Sequence, residues 1–186
     1  MTIKKKIILG IDPGTQVMGF AVVLAQGHSI TVLECSALKI KDKKDPLNKL
    51  KTIFDETLKI IDAFKTDELA IEAPFYGENV QSMHKLGRAQ GVVIAAALYR
   101  DMTVAEYSPR KIKQSITGRG SATKQQVAAL LNAQYALPPK AAGLDATDAL
   151  AVAITHLQQQ SGKVVGSGIS SSWEKFIRLH PEKIKK

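Results

Sequence analysis

The 186-residue chain contains one cysteine, Cys35, and no long apolar run. A single cysteine cannot form an intramolecular disulfide, which fits a reducing compartment. No apolar run approaches the roughly 18 residues that a membrane span needs, and the first residues lack the apolar core of a signal peptide. The four histidines are scattered, so the sequence offers no His/Cys cluster for zinc. We therefore expect a soluble, cytoplasmic protein with no membrane partner.

Positive charge is in excess. The chain has 26 Lys and Arg residues against 17 Asp and Glu residues, a formal charge of +9. Such an excess favours a polyanionic partner, because a cation that neutralises a phosphate releases counterions. The location of the charge is more informative than its sum. One segment concentrates five cations: Arg110, Lys111, Lys113, Arg119 and Lys124.

The apolar pattern predicts strands first and alternating helices and strands later. Three runs, at 7–12, 18–24 and 30–38, predict adjacent antiparallel strands. A meander followed by such alternation predicts an α/β fold with a mixed five-stranded sheet flanked by helices. We expect one domain over residues 1–160 and a basic, flexible tail over 161–186. The later predicted elements are helices at 46–64, 79–100, 108–116, 123–135 and from Asp145, with short strands ending at Glu72 and Glu106.

The helix predicted over 79–100 contains two glycines four residues apart, Gly87 and Gly91. Each glycine costs about 1 kcal/mol of helix stability relative to alanine. Such a cost suggests that another element approaches this helix closely. The sheet and a second subunit are both open as that element.

Two carboxylates open an apolar helix in the stretch GLDATDALAVAIT, residues 143–155. Asp145 and Asp148 are three residues apart and so lie on the same side of the helix. The structural alternative is that acids in a first turn complement the helix dipole. Asp12 and Glu72 each close an apolar strand, where a turn aspartate and a strand-ending acid are the corresponding alternatives.

Taken together, the four acids suggest a site at one edge of the sheet. If the strands of Asp12 and Glu72 are neighbours, both carboxylates open onto one edge of the sheet. A helix packed there can then bring Asp145 and Asp148 alongside. Four converging carboxylates suit a hard divalent cation such as Mg²⁺. Two such ions can activate a water and neutralise a scissile phosphate, so the set predicts phosphodiester hydrolysis.

Five separated segments match a known family in order and spacing. They are IILGIDPGT with the following Gly19, LAIEAPFYG, KLGRAQG, SPRKIKQSITGRGSATKQQV and GLDATDALAVAITH. Over residues 7–157 the chain thus resembles the RuvC family of Holliday-junction resolvases. The resemblance implies a ribonuclease-H-like fold and a homodimer. It also implies cleavage of four-way junction DNA, in homologous recombination and DNA repair, with two Mg²⁺ ions per site that Mn²⁺ can replace. The RuvA–RuvB branch-migration complex is the implied partner.

The resemblance carries site residues over one by one. Asp12, Glu72, Asp145 and Asp148 match the family's metal-binding acids, and in some members a histidine stands in place of the acid at 145. Phe75 matches an aromatic residue that stacks on DNA bases, an interaction typically worth about 1–3 kcal/mol. The structural alternative for Phe75 is a core phenylalanine.

Basic residues form the second group of candidates. Lys113 and Lys124 match family positions near the DNA backbone. Arg119 lies in the stretch TGRGSATK, a predicted loop that leads to a helix N-terminus suited to a phosphate. A solvated charged face is the alternative for this loop.

Three other functions remain open at this point. The stretch GIDPGT also resembles the first phosphate motif of actin-like ATPases, although the chain shows no second motif of that class. A DNA-binding module without catalysis and a related nuclease acting on RNA are the others. Cleavage of a synthetic junction with Mg²⁺ and without ATP separates these alternatives.

Overall fold

The computed structural model describes residues 5–40, 45–74, 80–139 and 143–160. In these residues five strands form one sheet and five helices accompany it. In chain order the elements are β1 (Lys5–Asp12), β2 (Val17–Gln26), β3 (Ser29–Lys39), α1 (Pro46–Phe64), β4 (Glu68–Glu72), α2 (Val80–Leu98), β5 (Thr103–Tyr107), α3 (Pro109–Thr117), α4 (Lys124–Gln134) and α5 (Leu144–Gln160).

The sheet is mixed, as predicted. Its strand order is β3-β2-β1-β4-β5. The first three strands pair antiparallel, whereas β1 with β4 and β4 with β5 pair parallel. Parallel neighbours need long crossover connections, which α1 and α2 supply. The α/β class and the meander at the start of the chain are therefore confirmed.

Helices cover both faces of the sheet. Successive residues of a strand point to opposite faces, so β1 contributes to two cores. Ile8 packs in the core with α3, α4 and α5, whereas Leu9 and Ile11 pack in the core with α1 and α2. By the same alternation Gly10 and Asp12 share the α5 face with Ile8. Residues at the strand ends can therefore contact α5 only if they lie on the same face of the sheet as Ile8.

Two glycines let α5 lie directly on the sheet. A Cβ atom added at Gly10 would lie 2.4 Å from the carbonyl oxygen of Ala149. One added at Gly19 would lie 2.0 Å from the carbonyl oxygen of Asp145. No side chain fits at either position, so the backbone of α5 rests on β1 and β2. The first turns of α5 are thereby placed over the end of β1.

The glycines of α2 do not serve contact with the sheet. A Cβ atom added at Gly87 or Gly91 would meet nothing within 4 Å in the described part of the protomer. The alternative that these glycines allow close contact with the sheet is therefore wrong. Larger residues of α2, including Val93, pack in the core instead. Val80, the first residue of α2, is 68% exposed.

A capping box opens α4, at the start of the helix predicted over 123–135. The Thr123 hydroxyl accepts from the backbone N–H of Gln126, and the Gln126 side chain accepts from the backbone N–H of Thr123. This pair fixes where α4 begins, with Lys124 as its first residue. Across the described ranges, no helix has the length and apolarity needed to cross a membrane.

We expect Gly10→Ala to destabilise the protein, because the added methyl group must push α5 away from β1. Overpacking of this kind typically costs about 1–3 kcal/mol. Chemical denaturation followed by circular dichroism measures the loss in the free energy of unfolding. A Gly10→Ala protein as stable as the wild type would contradict the close packing of α5.

Candidate active site

Asp12 and Glu72 end neighbouring parallel strands. Ile11 of β1 is the register partner of Ile71 of β4, so the two acids that follow them are also side by side. Both acids lie on the α5 face of the sheet, since Asp12 alternates with Ile11 and Glu72 with Ile71. The structure thus places the two strand ends together, as the sequence predicted.

Helix α5 brings the other two acids to the same end. Asp12 is the register partner of Gly19, and Gly19 lies beneath the backbone of Asp145. Asp148 follows one turn later on the same side of the helix. Their exposure differs: Asp145 is exposed to solvent, whereas Asp148 is 8% exposed. Asp148 therefore faces the strand ends more closely than Asp145 does.

A lysine lies among these acids. The Nζ atom of Lys124, at the start of α4, is 2.5 Å from Oδ2 of Asp148. Lys124 was predicted along the DNA backbone, and the structure places its ammonium group at the acid cluster. A small cavity of about 100 Å³ adjoins this ion pair. Its polar lining is Glu72, Lys113, Lys124 and Asp148.

The electrostatics of the cluster show a shortage of positive charge. Burial raises the pKa of Asp12 to about 6, with repulsion from Asp148 and Asp145 adding to the shift and Lys124 opposing it. Burial likewise raises the pKa of Glu72 to about 7, where repulsion from Asp12 and Asp148 adds and the two lysines of the cavity oppose. Such shifts arise where carboxylates crowd together without enough cations.

The Lys124 ammonium group partly compensates the acids. Burial alone would lower the pKa of Lys124, but the hydrogen bond that it donates to Asp148 and the attraction of Asp148, Asp12 and Glu72 raise it. In the described ranges no three Asp, Glu, His or Cys side chains already stand as a metal-binding group. Oxygen donors with raised pKa values nevertheless fit a hard divalent cation, provided that the lysine withdraws from Asp148.

The chain matches a known protein family over most of its length. The family model described as crossover junction endodeoxyribonuclease RuvC matches residues 8–156, a range that holds all four acids. The chain belongs to the RuvC family. It is 45% identical to the RuvC of Christiangramia forsetii over 97% of this chain and 94% of that protein. It is 44% identical to the RuvC of Porphyromonas gingivalis over the full length of both.

Solved structures of RuvC agree with this fold. Thermus thermophilus RuvC in complex with a Holliday junction substrate superposes with a TM-score of 0.76 at 28% identity, over 85% of this chain and 97% of that one. The yeast mitochondrial Holliday junction resolvase Ydc2 superposes with a TM-score of 0.64 over 87% of this chain and 83% of that one. At 12% identity this second likeness shows the fold alone. The ribonuclease-H-like architecture is confirmed.

Membership of the RuvC family decides between some of the open functions. The actin-like ATPase alternative depended on GIDPGT alone, and the RuvC match extends over most of the chain. The relatives are named endodeoxyribonucleases, a name that specifies DNA cleavage by those proteins.

The remaining predicted site residues have different positions. Arg119 is exposed in the turn between α3 and α4, where its backbone N–H donates to the Thr117 hydroxyl. Lys113 lies on α3 and lines the cavity beside Glu72. Phe75 lies outside the described residues. His156, one of the four scattered histidines, is buried in a hydrogen-bond network at the other end of α5. Its place in the helical run after Asp148 gave no sign of these partners.

We expect Mn²⁺ to stabilise the protein more strongly at about pH 8 than at about pH 6, because a carboxylate must lose its proton to bind a metal. As the pH falls through about 7 and about 6, Glu72 and Asp12 take up protons in the metal-free protein. Their raised pKa values also mean that these two groups make the metal-free protein less stable as the pH rises through that range.

Melting temperatures with and without Mn²⁺ across this range provide the measurement. The Glu72→Gln variant is the control, since its shift with Mn²⁺ should be small and vary less with pH. Equal stabilisation of the wild type by Mn²⁺ at both ends of the range would contradict the prediction.

Proposed function

We propose that this chain is a structure-specific endonuclease that resolves Holliday junctions by paired, metal-dependent hydrolysis of phosphodiester bonds. It would act in homologous recombination and DNA repair. The observation that carries the proposal is the meeting of Asp12, Glu72 and Asp148 at one cleft, in a chain whose RuvC relatives match it along nearly its whole length. The RuvC of Thermus thermophilus, a structural neighbour, has been solved with a Holliday junction.

The acids have the first role in this proposal. Asp12, Glu72 and Asp148 hold divalent metal ions, with Asp145 as the outermost ligand because it is exposed. We propose Mg²⁺, two ions per site, with Mn²⁺ able to replace it. When bound, such ions activate the attacking water and neutralise charge on the scissile phosphate. The acids themselves hold and orient this charge beside the DNA strand.

Lys124 has a second role that follows from its ion pair. Its Nζ atom contacts the Oδ2 atom of Asp148, an oxygen that a bound metal ion would need. On metal binding this ammonium group leaves Asp148 and becomes available to a DNA phosphate. Its side chain is 54% exposed, so it has room to turn outward. Lys113 and Arg119 supply further positive charge along the DNA backbone, and Phe75, directly after Pro74, stacks on a base near the junction centre.

Two cuts in a nearly two-fold symmetric junction call for two equivalent sites, which a homodimer supplies. The exposed face of α2 supports an interface there. Gly87 and Gly91 have open space around them, and Leu98 and Tyr99 are 57% and 68% exposed. Small residues allow a second helix to approach closely, and apolar neighbours gain from burial. We therefore propose that α2 contributes to the dimer interface.

The other parts of the proposal concern the setting of the enzyme. The nuclease domain spans residues 1–160, and residues 161–186, which lie outside the described ranges, form a basic tail. The RuvA–RuvB complex is the proposed branch-migration partner. The cytoplasm is the proposed location.

We expect Asp12→Asn to abolish cleavage of a synthetic four-way junction and to leave junction binding largely intact. The substitution removes a charged metal ligand but no phosphate contact. Gel assays of cutting and of binding, with Mg²⁺ and without ATP, measure both effects. The control is Asp55→Asn, which removes a partly exposed acid on α1 that pairs with Lys51.

An active Asp12→Asn enzyme would refute the metal site. A wild-type protein that binds the junction but never cuts it would favour a binding module. Faster cleavage of an RNA junction than of a DNA junction would favour an RNA nuclease.

We expect Gly91→Leu to convert the dimer to a monomer, because a large side chain separates the two α2 helices. Sedimentation equilibrium at micromolar concentration measures the mass. Ala63→Leu, at an exposed position on α1, is the matched control and should leave the mass unchanged. If α2 faces solvent instead, Gly91→Leu should only strengthen the helix, by up to about 1 kcal/mol. That outcome would exclude α2 from the interface.

A further inference from the structure

A buried polar network lies at the end of α5 away from the acids. His156 is 6% exposed and has a partner on each ring nitrogen. Its Nδ1 atom is 2.7 Å from the Tyr107 hydroxyl, and its Nε2 atom is 2.7 Å from Oε2 of Glu68. Lys6 donates to the other carboxylate oxygen of Glu68 at 2.6 Å, and Gln160 also donates to Oε2. The Nε2 atom of Gln160 also lies 2.9 Å from Nε2 of His156.

The charges in the network give the hydrogen bonds a direction. Burial alone would raise the pKa of Glu68, but hydrogen bonds from Lys6, His156 and Gln160 lower it to about 2. Glu68 is therefore an ionised acceptor, and the Nε2–H of His156 donates to it. In the neutral imidazole ring Nδ1 is then the acceptor, and the Tyr107 hydroxyl donates. Hydrogen bonds to an ionised group are the stronger kind.

The rest of the contact between α5 and the sheet is mostly apolar, with one weak hydrogen bond, from the Cys35 thiol to the carbonyl oxygen of Ala146 at 3.3 Å. Gly10 and Gly19 meet backbone and methyl groups of Asp145, Ala149 and Ala153. Apolar burial of this sort is non-directional, and small side chains form shallow ridges. It holds α5 on the sheet, together with the larger side chains of Leu150 and Ile154, but it depends less on direction than a hydrogen bond does in setting the position of the helix along its own axis. Directional hydrogen bonds can set that position.

Through Tyr107, the network links α5 to the strand end at which Glu72 lies. Tyr107 is the register partner of Glu72 on β4, and its carbonyl oxygen accepts from the N–H of Ala73 at 2.8 Å. His156 follows Asp148 by eight residues, a rise of about 12 Å along the helix. One end of the network is therefore fixed beside Glu72, and the other holds the helix that carries Asp148.

We propose that His156 is a positioning residue which, through Tyr107 and Glu68, fixes α5 along the sheet and so holds Asp148 against Asp12 and Glu72. The inference rests on the proposed metal site and adds a determinant of its geometry. His156 itself contacts neither the metal nor the DNA in this role. It acts through the helix.

The test is the affinity of the DNA-free protein for Mn²⁺, measured by titration calorimetry at a temperature where circular dichroism shows complete folding. Tyr107→Phe removes one hydroxyl and keeps the ring, so the fold should persist. His156→Phe removes both hydrogen bonds. We expect both variants to bind Mn²⁺ about tenfold more weakly than the wild type, as is typical when a group that orients metal ligands is lost.

Two controls separate positioning from stability. Thr155, the neighbour of His156, is buried, and its hydroxyl has no hydrogen-bond partner among the described residues. Thr155→Val should leave the affinity for Mn²⁺ unchanged. Ile61→Val removes a methylene group from the core on the other face of the sheet and so lowers stability away from the network. It should lower the melting temperature and leave the affinity unchanged as well.

The possible outcomes are distinct. Wild-type affinity in both Tyr107→Phe and His156→Phe would overturn the positioning role and leave the metal site intact. Equal losses in Ile61→Val and Tyr107→Phe would overturn it too, because general destabilisation would then suffice. A wild-type protein that binds no Mn²⁺ would refute the metal site itself, and the positioning role with it. If His156→Phe does not fold, Tyr107→Phe alone decides.

Discussion

Repulsion between buried carboxylates is the constraint on which this structure depends. Asp12, Glu72 and Asp148 come from a first strand, a fourth strand and the last described helix, and folding forces them together. Burial and mutual repulsion raise the pKa values of Asp12 and Glu72 by amounts that ordinary surface acids do not show. A cation relieves this cost, and the fold supplies Lys124 as one. The site is thus electrostatically prepared for a divalent ion.

The rest of the fold serves to maintain this crowded arrangement. Glycines at positions 10 and 19 remove the side chains that would keep α5 from the sheet. The capping box at Thr123 fixes the start of α4, and with it the origin of the Lys124 side chain. The buried network around His156 adds directional contacts to packing that is mostly apolar. The stability of the rest of the fold therefore compensates for the unfavourable repulsion between the acids, as is common at functional sites.

The sequence predicted the strands and the side on which each acid lies, because both follow from short-range patterns. The meeting of the acids depended on the further condition that β1 and β4 are neighbours, which the structure satisfies. Alternation in β1 and β4 decides that Asp12 and Glu72 share a face, and the helical spacing puts Asp145 and Asp148 on one side. The ion pair of Lys124 and the partners of His156 were not predictable, since they join residues far apart in the chain. The partners of His156 lie 49 and 88 residues away. Gly87 and Gly91 suggested that another element approaches α2, but their spacing alone could not exclude the sheet as that element.

Diffraction at the manganese absorption edge, from crystals grown with Mn²⁺, tests the central claim most directly. The account predicts anomalous density between Asp12, Glu72 and Asp148, with the Lys124 ammonium group withdrawn from Asp148. Density at any other place, or an intact pair of Lys124 with Asp148 in saturating Mn²⁺, would contradict it.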